Sequence, residues 1–176
     1  MNFIELAEIR QSCRKYDSSK EIEKDKLERI LNAGILSPSA CNGQPYKITV
    51  CTEKAAADVA KATMEMGMNK FTSEAPVMLV ISEDTYIASA ALGAKVKGND
   101  YRSIDIGILA AYITAQAACE NIGSCILGWF DNNEIKKICN LDKDVRLVIS
   151  LGYPAPDDKL RIKKRKTKDK IVKYIK

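Results

Sequence analysis

Arg10, Ser12 and Arg14 stand at alternating positions in R-Q-S-C-R, near the start of this 176-residue chain. In an extended segment such residues point to one side, presenting two guanidinium forks and a hydroxyl, which is good chemistry for a phosphate. Lys163 and Arg165 alternate in the same way near the other end. Between them, the stretch SPSACNGQPY (37–46) offers Ser39, Asn42 and Gln44 as donors and acceptors on a backbone held by Pro38 and Pro45. Groups of that kind can read the edge of a planar polar heterocycle. Plainer readings exist for each piece: the arginines as a helix end making surface ion pairs, and 37–46 as a rigid turn.

The chain contains no histidine. That removes Ser-His-Asp and Cys-His nucleophile systems together with every histidine-ligated metal site. If the protein is an enzyme, a cofactor is the natural carrier of its protons and electrons. Six cysteines, none in a CxxC pair, read as reduced thiols rather than as a disulfide framework or a zinc site. GAKVKGND spaces its glycines like a P-loop but puts Asn99 and Asp100 where Lys and Ser/Thr must stand, so it is not a nucleotide site. No GxGxxG follows a strand, which argues against a Rossmann crevice. Met64 to Met68 (MEMGM) reads as a flexible core or rim piece rather than a soft metal site.

The net charge of +5 hides an asymmetry: residues 159–176 hold ten Lys/Arg against one acid, Asp169, while the remainder holds 18 bases and 22 acids. A basic tail can serve nucleic acid, a membrane surface or one compact anion, or it can be merely solvated. With 46% hydrophobic and 29% charged residues, a single soluble domain spanning 1–176 is expected. No apolar run approaches the roughly 18 residues of a membrane span, and MNFIELAEIRQ lacks a secretory apolar block, so a cytoplasmic protein with no membrane partner is expected.

The elements that must position these residues follow from periodicity. Helices are expected over residues 2–10, 23–34, 53–66, 103–121 and 132–139, with the second ended by Ser37-Pro38. Tyr46 to Cys51 alternates as a strand, with Ile48 and Val50 on one face. VMLVIS after Ala75-Pro76 and Val145 to Leu151 read as central strands covered on both sides. Residues 83–100 read as a flexible connection. The 103–121 helix is apolar almost all round, as at the centre of a structure or at a subunit interface, and Gly123 is expected to stop it. An α+β domain with helices packed on a small sheet fits this order best.

Taken together, these segments resemble the nitroreductase family of flavin (FMN) oxidoreductases. R-Q-S-C-R-K-Y resembles the family's opening R-R-S-x-R-x-F, and SPSACNGQPY resembles its A/S-P-S-x-x-N-x-Q-P-W. APVMLV matches a strand that members begin with Ala-Pro. ENIGSCILGWFD resembles a G-L-G-x-x-x-x-G segment, and LGYPAP with KRKTKDKIV resembles the closing G-Y-P and R-K-P-L-x-E-I-V. The likeness covers essentially the whole chain and implies a nitroreductase-like α+β fold: a small, mixed, mostly antiparallel sheet flanked by helices, in an intertwined homodimer with FMN at the interface.

By that resemblance, Arg10, Ser12 and Arg14 take the FMN phosphate and ribityl chain, joined by Lys163 and Arg165 from the tail. Pro38, Ser39, Asn42 and Gln44 border the isoalloxazine ring from the partner subunit. Ile126, Leu127 and Gly128 lie against its other side, and Asn69, with Lys70, falls near its pyrimidine edge. The implied activity is hydride transfer from NADH or NADPH through flavin N5 to a small-molecule acceptor such as a nitroaromatic or quinone, in ping-pong order, with no residue in a strict acid–base role. Tyr46 replaces the usual Trp and Thr167 the proline after R-K. The alternatives are a flavin-fragmenting or dehalogenating relative, a flavin-binding protein without turnover, and nucleic-acid binding through the tail. The last is opposed by only 6% aromatics and no stacking array, so no nucleic-acid partner is expected.

Overall fold

The computed structural model describes residues 1–176. Ten principal elements run in the order α1 (Phe3–Ile9), α2 (Lys24–Ile35), β1 (Tyr46–Thr52), α3 (Glu53–Ala62), β2 (Val77–Glu83), α4 (Ala88–Lys97), α5 (Tyr101–Cys119), β3 (Gly123–Leu127), α6 (Asn132–Cys139) and β4 (Val145–Gly152). The four strands form one sheet in the order β1-β2-β4-β3, antiparallel at every pairing. Its parallel component is confined to an isolated bridge between Ser12 and Ser124. The fold is α+β, as expected. No helix is long and apolar enough to cross a membrane.

Strand pleating sorts the apolar residues of β2 between two cores. Val77, Leu79 and Ile81 pack with Ile30 of α2 and with Ile106, Leu109 and Ile113 of α5. Met78 and Val80 face the opposite way, toward Ala56 and Val59 of α3 and Ile135 of α6. The central position of β2, between β1 and β4, explains why its sequence is apolar without alternation.

Three local expectations are corrected. The helix over 53–66 ends at Ala62, because buried Thr63 turns its hydroxyl back onto Ala60 O at 2.7 Å and Met66 and Gly67 then adopt φ of 53° and 77°. Residues 83–100 are not an irregular connection: 88–97 form α4. Leu92 and Val96 of that helix are 65% and 66% exposed, so it carries no buried stripe from which periodicity could be read. Gly123 does not stop α5. Asn121, at φ 59°, makes that turn, while Gly123 opens β3, where a Cβ would lie 2.8 Å from the Cys13 side chain. The glycine thus admits the N-terminal segment against the sheet edge.

α5 begins at Asp100, whose carboxylate accepts from Ser103 N at 3.1 Å. It buries Ile106, Leu109, Ala110, Ile113 and Ala117 under the sheet. The opposite side leaves Ile104, Gly107, Ala111 and Tyr112 exposed, and α1 beside it exposes Phe3 and Ile4.

Candidate functional site

The N-terminal cations owe their position to two local devices. A capping box between Asn2 and Glu5 starts α1, which stops after one side of it, through Leu6, is buried. From Arg10 the chain runs extended along the edge of β3, with Cys13 N donating to Ser124 O at 2.9 Å. Cys13 and Tyr16 turn inward and are buried, and burial pushes the Cys13 thiol up to about 12.

The tail crosses this segment and is stitched to it. Arg161 N donates to Gln11 Oε1 at 3.0 Å, Arg161 Nη2 donates to Ser12 O, and Lys163 Nζ donates to Arg10 O at 2.7 Å. Two stretches about 150 residues apart in sequence therefore meet. The result is a cleft of about 720 Å³ lined by Glu8, Arg10, Ser12, Lys163 and Arg165 on its polar side. Gly107, Ala111 and Ala115 of α5 and the side chain of Ile126 line its apolar side.

The cleft carries an excess of positive charge, with Arg10, Lys163 and Arg165 against Glu8. None of Arg10, Arg14, Lys163 or Arg165 forms a salt bridge, although 13 exist elsewhere in the molecule. Lys163 is held below its ordinary pKa by partial burial first and then by Arg10 and Arg165. Cys125 is raised by burial, opposed by the positive charges of Arg14, Arg10 and Arg161. Three cations crowded at the cost of mutual repulsion, against the single carboxylate of Glu8, leave a net positive site suited to an anion.

The remaining sequence-derived residues divide. Arg14 is exposed and does not line the cleft; its charge is felt at Cys125. Ile126 is 44% exposed on the cleft wall, whereas the Leu127 side chain is buried in the core and only its backbone is available. Gly128 is exposed, and a Cβ there would meet nothing within 4 Å, so crowding within this chain does not demand glycine. Asn69, at φ 49°, spends its amide nitrogen on Thr63 O (3.1 Å) and Trp129 O (3.2 Å). Neither Asn69 nor Lys70 reaches the cleft.

Pro38, Ser39, Asn42 and Gln44 also lie outside the cleft of their own chain. Their loop is rigid and strained. Cys41, Asn42 and Gln44 take φ of 51°, 54° and 45°, each costing roughly 1 kcal/mol for a residue with a side chain. Internal hydrogen bonds offset part of that cost: Gln44 N to Ser39 Oγ at 3.0 Å, and Gln44 Nε2 to Asn42 O at 3.1 Å. Sequence reasoning missed Gln11 and Arg161, which make the stitches. Arg161 was visible as the first member of the same alternating run that contains Lys163 and Arg165.

A family model described as the nitroreductase family matches residues 7–67 and 63–153. The chain belongs to the nitroreductase family. Among solved structures, this nitroreductase-family chain resembles a nitroreductase family protein from Streptococcus pneumoniae TIGR4, with a TM-score of 0.84 at 22% identity over 99% of this chain and 100% of that one. It also resembles an FMN-dependent nitroreductase from Clostridium difficile R20291, with a TM-score of 0.79 at 25% identity over 98% of each chain. A relative from Archaeoglobus fulgidus, provisionally named an NADH dehydrogenase/NAD(P)H nitroreductase, is 25% identical over 86% of this chain and 84% of its own length. The family match ends at residue 153, so it does not cover the tail that approaches Arg10.

Proposed function

We propose that this chain is an FMN-dependent NAD(P)H oxidoreductase that passes electrons to a small-molecule acceptor such as a nitroaromatic or quinone. The observation that carries the reading is the cleft in which cations from both chain ends converge, outnumbering its one carboxylate, Glu8, beside an apolar wall. FMN needs that combination: a phosphate at one end and a flat heterocycle at the other. The names of the Clostridium difficile and Archaeoglobus relatives support FMN and NAD(P)H respectively.

When bound, FMN supplies hydride acceptance and donation at its ring nitrogen N5. Arg10, Ser12, Lys163 and Arg165 bind the phosphate end, with Arg14 adding charge from outside the cleft. Ile126 offers an apolar contact to the ring, and the backbone of Leu127 and Gly128 offers amide groups beside it. Asn69 is a peripheral contact at most, because its amide nitrogen already has two carbonyl partners.

The protein works as a homodimer of single domains, 1–176. The uncovered apolar side of α1 and α5 supports this, as does a loop rich in Ser39, Asn42 and Gln44 that lies outside its own cleft and is free to border the partner's. The basic tail, 159–176, reaches the phosphate and extends toward the partner. Six free thiols fit a reducing, cytoplasmic setting. The purified protein should be yellow and bleach on addition of NADH or NADPH, recovering colour with a quinone or nitroaromatic. A colourless protein that ignores added FMN refutes the proposal, and one that binds FMN but resists both nicotinamides reduces it to a flavin-binding protein without turnover.

A further inference from the structure

The loop from Ser39 to Gln44 makes only one hydrogen bond to a residue distant in the sequence. Its other bonds are local, from Asn42 N to Ser39 O, Gly43 N to Ala40 O, Tyr46 N to Gln44 O, and the contacts made by Gln44. The exception is Ala40 N, which donates to Asp105 Oδ1 at 2.9 Å. Asp105 lies in the first half of α5 and is 2% exposed.

The surroundings of this carboxylate are unusual. It has no salt-bridge partner, and its second oxygen is buried with no hydrogen bond. Two other buried orphans share the neighbourhood: Tyr86 Oη and Arg102 Nε. Arg102 stands 4.9 Å over the Tyr86 ring but directs its Nη1 to Glu83 at 2.6 Å. Tyr86 is raised by burial and then by the charge of Asp105, with Arg102 opposing. A buried carboxylate that forgoes the nearby arginine and makes one bond is costly to keep for packing alone, where an apolar side chain of similar size would serve. Its single side-chain hydrogen bond is with the strained loop.

We propose that Asp105 is a positioning residue that latches the loop from Pro38 to Gln44 into its left-handed conformation, so that Ser39, Asn42 and Gln44 are presented in one fixed arrangement. The consequence for flavin rests on the reading that this loop borders the ring; the latch itself does not. Ala40 N is a donor that only an oxygen on residue 105 can satisfy at this distance, so Asp105→Asn retains the latch and Asp105→Ala removes it.

The test pairs amide exchange over residues 38–46 in the protein without flavin with FMN affinity from fluorescence quenching. D105A is expected to exchange at least about tenfold faster than wild type across the loop and to bind FMN about tenfold more weakly, the effect of losing one hydrogen bond to a charged group. D105N is expected to stay within about twofold of wild type in both. An unchanged loop in D105A, or a D105N as loose as D105A, overturns the latch. Faster exchange in D105A with unchanged FMN affinity overturns the presentation role. If the wild type binds no flavin, the flavin reading fails while exchange still decides the latch. Should D105A not fold, the Ala40 amide of folded wild type decides: slow exchange supports the latch, and exchange as fast as a free amide overturns it.

Discussion

Neutralising Lys163 should separate phosphate recognition from folding. In the free protein its Nζ makes one hydrogen bond, 2.7 Å to Arg10 O, and no ion pair. Losing that bond costs about 0.5–1.5 kcal/mol. Relief of crowding by Arg10 and Arg165, the like charges that hold its pKa down after burial, returns a few tenths of a kcal/mol at this largely solvated site. Lys163→Met should therefore change the stability of the flavin-free protein by less than about 1 kcal/mol, or roughly 2–4 °C in melting temperature. Toward a phosphate dianion the same ammonium makes a charge-assisted hydrogen bond of about 1.5–3 kcal/mol, so the Kd for FMN should rise roughly 10- to 100-fold. The assay is a fluorescence titration of flavin-free protein with FMN and, separately, with riboflavin, which lacks the phosphate. FMN affinity should fall while riboflavin affinity stays within about twofold. Equal losses for both flavins, or an unchanged FMN affinity, would refute the assignment of Lys163 to the phosphate.

Other substitutions probe the frame that holds the site. A Cβ at Gly34 of α2 would lie 2.7 Å from Ile113 Cγ1, an atom of a fully buried side chain, so Gly34→Ala should lose about 1–2 kcal/mol in urea unfolding despite the roughly 1 kcal/mol that alanine gains in helix propensity. Glu23 is held down at about 2 by the Tyr153 hydroxyl, 2.6 Å away, and by Lys26; its contribution is present above pH 4.5 and lost as pH falls from 4.5 toward 2. Tyr153→Phe should accordingly flatten the acid limb of a stability–pH profile, and a parallel limb in the variant would contradict that link. Ala111→Glu places a charge on the exposed side of α5 and, if that side is the proposed dimer interface, should lower the mass by light scattering from dimer to monomer with loss of flavin; an unchanged mass would contradict the interface.

Much of the fold is legible locally. VMLVIS announces a strand covered on both faces because all six of its residues are apolar or small, and all are buried. The expected bounds of the helix at 132–139 coincide with those of α6, where Asp131 caps Glu134 N and Asn140 turns at φ 50°. Where side-chain period did not track burial, the reading failed. α4 exposes its leucine and valine, and α3 is cut short by the Thr63 hydroxyl, a bond that competes with helix propensity and leaves no mark on periodicity.

For the candidate site, residue chemistry was visible and proximity was not. Alternation in R-Q-S-C-R and R-I-K-K-R marks two sets of outward cations, but whether they face one anion depends on hydrogen bonds between residues 153 positions apart. Asp105 shows the same division from the other side. In sequence it is one acid in an apolar helix; only the packed molecule shows that its oxygen meets Ala40 N.

The sequence by itself determined most of the element types, the absence of histidine chemistry and the supply of groups able to bind a phosphate, because burial period and side-chain chemistry are properties of neighbouring residues. The tertiary structure decided which of those groups share a cleft, which are spent on internal bonds, as Asn69 is, and which hold a loop rather than a ligand. Those outcomes are set by contacts between segments distant in the chain, and such contacts exist only once the sheet and its two helical layers have closed.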